Sequence, residues 1–142
     1  MAIVATYGAN AVLSALIKQY DAPETPELFN EVVTVNTAAA TTIALFTVLG
    51  KVTATGKYLP SVQTATDGSQ NAAAIYIGNG FGTIVPMTTV AGADTTVLTL
   101  ARGKVVVAKD ALVMDASFNT QAKKDAVYAS LKAVGIFPEY TV

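Results

Sequence analysis

Few side chains in this 142-residue chain could carry out chemistry, and they are scattered. Cysteine, histidine and tryptophan are all absent, which removes thiol nucleophiles, disulfides, imidazole bases and most transition-metal sites. A serine nucleophile would then need a lysine as its base. Ser130 stands two residues before Lys132 in a predicted helix, a spacing that points the two side chains to different faces. The ten carboxylates, from Asp21 to Glu139, stand singly in turns and linkers, and no pair is marked out for acid/base work. Asp110 and Asp115 flank Ala-Leu-Val-Met and read as a solvated loop. The glycine cluster Gly78-Asn79-Gly80-Phe81-Gly82 superficially matches a phosphate-cradling loop. Such a loop must open a helix whose amides meet the anion, whereas Thr83-Ile84-Val85-Pro86 is extended, so the cluster reads as a structural turn. The sequence therefore offers no catalytic residue, no cofactor site and no metal site, and it is not expected to encode an enzyme.

The elements around these residues are mostly strands. β signals run over Val32–Val35, Ile43–Val48, Lys51–Ala54 and Tyr58–Leu59, with Gly50 and Gly56 as bulges or turns. Thr66-Asp67-Gly68-Ser69 is a turn, because Asp bonds its own backbone and Gly accepts positive φ. Ala73–Ile77 follows as an apolar strand. Thr95–Leu100 and Lys104–Ala108, joined by Ala-Arg-Gly, read as a hairpin. One helix is predicted over Thr120–Val134, capped by Asn119, with Val127, Leu131 and Val134 on one face and Gly135 and Pro138 beyond it. These elements predict an α+β domain, mainly β: a small, largely antiparallel sheet with one C-terminal helix packed on it.

Composition bears on partners. The chain is 52% hydrophobic and 13% charged, with a mean hydropathy of +0.47, against about a quarter charged in typical globular chains. A β protein rich in small residues accounts for part of this, and apolar surface covered by other subunits accounts for more. Nine basic and ten acidic residues are spread without a block of either sign, so no nucleic-acid partner is expected. Val32–Gly50 is free of charge and long enough to span a bilayer. Asn36 and five threonines interrupt it, and β-branched residues dominate the rest, so no membrane partner is expected. The first basic side chain is Lys18, which fits no secretory signal.

Residues 1–27 read as an N-terminal arm. Its apolar residues Ile3, Val4, Tyr7, Val12, Leu13, Leu16 and Ile17 precede the linker Asp21–Glu27, whose two prolines break the chain. Val12, Leu13, Leu16 and Ile17 have helical spacing. Two readings follow: the arm docks on its own domain, residues 28–142, or it orders against a neighbouring subunit by adding a strand or laying a helix in a groove.

The segments LGKVTATGKYLP, ATDGSQNAAAIYI, ADTTVLTLARGKV and KDALVM, and the helix leading to VGIF, together resemble the head decoration or head-stabilising proteins of tailed bacteriophages, typified by lambda head protein D. The resemblance covers roughly the last two thirds of the chain. It implies a compact β-tadpole fold and homotrimers on the outer surface of the expanded capsid, made in the host cytoplasm and seated at three-fold and quasi-three-fold positions. The partners implied are the major capsid protein and other copies of the chain, with the N-terminal arm ordering on the capsid. Another virion subunit, such as a tail-tube or adaptor protein, is the second reading. A small enzyme or ligand-binding module is a distant third.

Overall fold

The computed structural model describes residues 16–20, 30–102 and 105–139. Its strands are β1 (Ile17–Tyr20), β2 (Asn30–Val35), β3 (Thr42–Ile43), β4 (Val48–Lys51), β5 (Tyr58–Pro60), β6 (Ala72–Asn79), β7 (Met87–Thr88), β8 (Thr95–Leu100), β9 (Val105–Ala108) and β10 (Ile136–Glu139). Among the described residues, one α-helix, α1 (Gln121–Ala133), precedes β10, and one 3₁₀ turn covers Lys109–Ala111. The protein is mainly β with one C-terminal helix, as the residue pattern predicts.

Strands β2, β5, β4, β6 and β8 close into a five-stranded barrel. β6 shows why. Its residues are buried almost without interruption, because successive side chains enter two different cores. Ala74 and Tyr76 point into one cluster, which takes Val33 and Val35 from β2, Leu49 from β4, Tyr58 from β5 and Val97 from β8. Every barrel strand contributes, so this cluster is the barrel interior. Ile75 and Ile77 point the other way, into a cluster with Leu16, Val105, Val107, Phe118, Val127, Leu131 and Ile136. That second core joins the barrel to α1 and to the three-stranded sheet β1-β9-β10.

The structure corrects several sequence expectations. Thr95–Leu100 and the strand after it form no hairpin: β8 pairs with β2 and β6, whereas β9 pairs antiparallel with β1 and parallel with β10. β8 lies in the barrel and β9 in the three-stranded sheet, and local turn chemistry cannot distinguish a hairpin from two strands of different sheets. The continuous strand expected over Ile43–Val48 is broken. Phe46 adopts φ 68°, and its N–H donates to the Tyr76 carbonyl at 2.8 Å, turning the chain between β3 and β4. The strand expected at Lys51–Ala54 lies earlier, at Val48–Lys51, and the Gly56 N–H closes a turn onto the Val52 carbonyl at 2.8 Å. Thr120, one residue after the expected Asn119, caps α1 by accepting from the Lys123 N–H. Val127 and Leu131 are buried as expected, but Tyr128 takes the third inward place and Val134 is exposed.

The largest correction concerns the helical spacing read at the end of the arm. Ile17–Tyr20 is a strand, and the Ala108 N–H donates to the Leu16 carbonyl at 2.8 Å. Pairing with β9 makes Ile17–Tyr20 extended, whereas Val12 and Leu13, the first half of that spacing, lie outside the described residues. Among the described residues, no helix is long and apolar enough to cross a membrane.

Candidate functional site

The glycine cluster overlaps the end of β6, which includes Gly78 and Asn79, and the amides of Asn79, Phe81 and Gly82 are already occupied. Asn79 Oδ1 accepts from the N–H groups of Phe81 (3.0 Å) and Thr83 (3.1 Å), and the Gly82 N–H donates to the Asn79 carbonyl at 2.9 Å. An anion-binding loop presents such donors outward, whereas here one asparagine consumes them. The glycines serve close approach: a Cβ on Gly78 would lie 2.7 Å from the Thr83 carbonyl oxygen, and one on Gly80 would lie 2.7 Å from that of Thr96. Gly82 has φ +80°. The outcome is a fastened turn with Phe81 at its tip, 97% exposed.

Asp67, Asp94 and Asp115 are likewise engaged. Asp67 accepts from the Ser69 N–H and hydroxyl in the predicted Asp-Gly turn, where Gly68 has φ +102°. Asp115 accepts from the Ser117 N–H in a similar turn. Asp94 accepts from Asn36 Nδ2 at 2.6 Å and from Lys57 Nζ at 2.8 Å. These contacts hold all three carboxyls below the ordinary range, through Ser69 for Asp67, Ser117 for Asp115, and Asn36 and then Lys57 for Asp94. A general acid needs the opposite shift.

An open groove of about 360 Å³ brings Asp94 near Glu31, Lys57 and Tyr58. Both of its carboxylates are ion-paired, Asp94 with Lys57 and Glu31 with Arg102 at 3.4 Å. A second groove, about 310 Å³, runs between α1 and the Asp-Gly turn and is lined by Gln63, Gln70, Asn71, Lys123 and Ser130. Ser130 donates to the Ala126 carbonyl of its own helix at 3.0 Å, and Lys123 in the same groove donates to Asn119 Oδ1 at 3.0 Å. Among the described residues, no three acidic side chains gather as a metal site.

The depressed carboxylates give a pH prediction. Their folded values lie below their unfolded ones, so their stabilisation is present above the ordinary carboxylate range and is lost as pH falls through the depressed values. The thermal midpoint should hold from neutral pH to about pH 5 and decline below about pH 4. Asp94→Asn should flatten that acid limb. An unchanged limb would show that Asp94 contributes nothing to it.

Of the residues expected to bind neighbours, Leu16 is fully buried in the chain's own core, and Ile17 is half-buried against the same cluster. The structure commits these two to the body. Ile3, Val4, Tyr7, Val12 and Leu13 lie outside the described residues, as does the linker Asp21–Glu27.

With the chemistry of the site engaged in turns and ion pairs, what remains is a β barrel, a C-terminal helix and a strand joined to it ahead of the barrel. The model of the family described as bacteriophage lambda head decoration protein D matches residues 22–136. The chain belongs to that family. Lambda head decoration D proteins are structural proteins of the phage head. The family match begins at residue 22, so it covers the whole barrel, the helix and the start of β10, and leaves residues 1–21 outside it. No curated protein matches the chain.

Proposed function

We propose that this protein decorates the phage capsid, binding as a homotrimer to the outer surface of the expanded shell at three-fold and quasi-three-fold positions and clamping neighbouring major capsid subunits. The family match over residues 22–136 carries this reading. The mechanism is mechanical. A ligand that binds only the mature lattice stabilises that lattice, and three linked contacts raise the effective affinity of each. Leu16 and Ile17 belong to the body, so the grip falls to the segment ahead of them, with Ile3, Val4, Tyr7, Val12 and Leu13 as its apolar contacts. No nucleic acid, membrane, metal or cofactor takes part.

Adding the purified chain to expanded, undecorated shells of its phage tests this. The protein should co-sediment with the shells, and the shells should resist heat and chelators better than bare ones. Rings or tubes formed by the chain alone, with no uptake by shells, would support a tail-tube or adaptor role instead.

A further inference from the structure

Among the asparagines of the chain, Asn79 alone is followed by glycine. An asparagine side chain loses its amide when the next backbone nitrogen attacks it, and glycine, with no Cβ, leaves that nitrogen least hindered. Asn79–Gly80 is therefore the pair most open to this reaction. Attack needs two rotations: the Asn79–Gly80 peptide plane must turn the Gly80 nitrogen toward Asn79 Cγ, and the side chain must turn to meet it. The structure restrains both. The Asn79 N–H donates to the Thr83 carbonyl at 2.9 Å, and the Gly82 N–H donates to the Asn79 carbonyl at 2.9 Å, which pins the peptide plane itself. The side chain is pinned through Oδ1, which accepts from Phe81 and Thr83. Asn79 also pairs with Val97 of β8, and Gly80 lies against Thr96, whose carbonyl oxygen would stand 2.7 Å from an added Cβ.

We infer that Asn79 is a deamidation site, held unreactive by the native turn and released when the chain unfolds. In the released chain the Gly80 nitrogen gives its proton to solvent and bonds to Asn79 Cγ, and the Cγ–Nδ2 bond breaks with loss of ammonia. Water then opens the resulting succinimide at one of its two carbonyls. Opening at Cγ leaves an aspartate on an unchanged main chain, whereas opening at the backbone carbonyl leaves an isoaspartate, with the main chain running through Cβ and Cγ. The two products differ in fate. An aspartate keeps a side-chain oxygen where Oδ1 stands, and its charge strengthens the bonds from Phe81 and Thr83. An isoaspartate inserts a methylene into the main chain, which separates the Gly82 N–H from its carbonyl partner and displaces the pairing with Val97. Each unfolding episode thus adds a chance of irreversible damage to the turn that carries Phe81, while the folded chain is spared.

Peptide mapping by mass spectrometry tests the inference, with the full-length chain incubated at mildly alkaline pH either folded in buffer or unfolded in guanidinium chloride. In the unfolded chain Asn79 should deamidate before any other asparagine. In the folded chain the same residue should react on the order of a hundredfold more slowly, because reaction waits on opening of the turn. After dilution from denaturant, the refolded fraction isolated by size-exclusion chromatography should contain the aspartyl product and be depleted of the isoaspartyl one, which electron-transfer fragmentation distinguishes. Asn79→Asp should refold with the wild-type far-UV circular dichroism. Equal rates in the folded and unfolded chains, or another asparagine reacting first in denaturant, overturns the site. Isoaspartate equally abundant in the refolded and unrefolded fractions, or failure of Asn79→Asp to refold, overturns the sorting of the two products.

Discussion

Gly50→Ala is expected to remove a large part of the protein's stability, costing about 3–5 kcal/mol. A Cβ at this position would overlap the Ser69 carbonyl oxygen and lie 2.5 Å from its carbon and 2.7 Å from the Ser69 Cα, all of them backbone atoms that cannot rotate away. The Asp-Gly turn that carries Ser69 is fixed from several sides. The Thr53 N–H donates to the Asp67 carbonyl at 2.9 Å, and the buried Ser61 hydroxyl donates to the Ser69 carbonyl at 2.8 Å. Relief of the clash must break such contacts or open β4 from β6 at the point where their register already shifts. Small domains have only about 5–15 kcal/mol in total. Gly82→Ala is the control: its φ of +80° strains any side chain, but nothing lies within 4 Å, so about 1 kcal/mol is expected. Urea denaturation distinguishes the two. A Gly50→Ala midpoint equal to that of the wild type would disprove the account of the turn as a rigid wall.

Gly50 also marks how far the sequence could be read. A glycine between apolar strand residues announces a bulge or a close approach, and both occur here, but the sequence does not say which segment approaches. The same division runs through the molecule. Features decided within a few residues were legible: the Asp67-Gly68 turn, the strand Thr95–Leu100, and the helix with Leu131 inward and Gly135 at its stop. Features decided by partners far along the chain were not. β8 and β9 look like a hairpin locally, yet each finds its partners up to about seventy residues or more away, as in the pairing of Asn30 with Leu100. Likewise, the positive φ of Phe46 depends on the Tyr76 carbonyl, thirty residues further on. The lack of cysteine, histidine and tryptophan was legible outright, with the chemistry that those residue types would supply.

Removing residues 1–15 is expected to abolish uptake by expanded shells while leaving the body folded, and the place of the cut decides whether the experiment can be interpreted. A deletion to Glu27, where the linker suggests the boundary, would also remove Leu16 and β1. Leu16 has no exposed surface and packs in the core with Val107, Leu131 and Ile136. Its loss would unfold part of the molecule and imitate a binding defect. A cut before Leu16 leaves every described contact in place and takes away Ile3, Val4, Tyr7, Val12 and Leu13. The companion variant, Leu16→Ala, should do the reverse. It should cost about 2–5 kcal/mol in denaturation, as truncation of a buried leucine does, and reduce shell uptake only in proportion to the folded fraction. Under the proposed trimeric binding, avidity sharpens the contrast, because linked arms fail together and uptake should then fall to background. If the chain lacking residues 1–15 decorates shells as well as the full-length protein, the grip lies on the body, and the arm is dispensable for it.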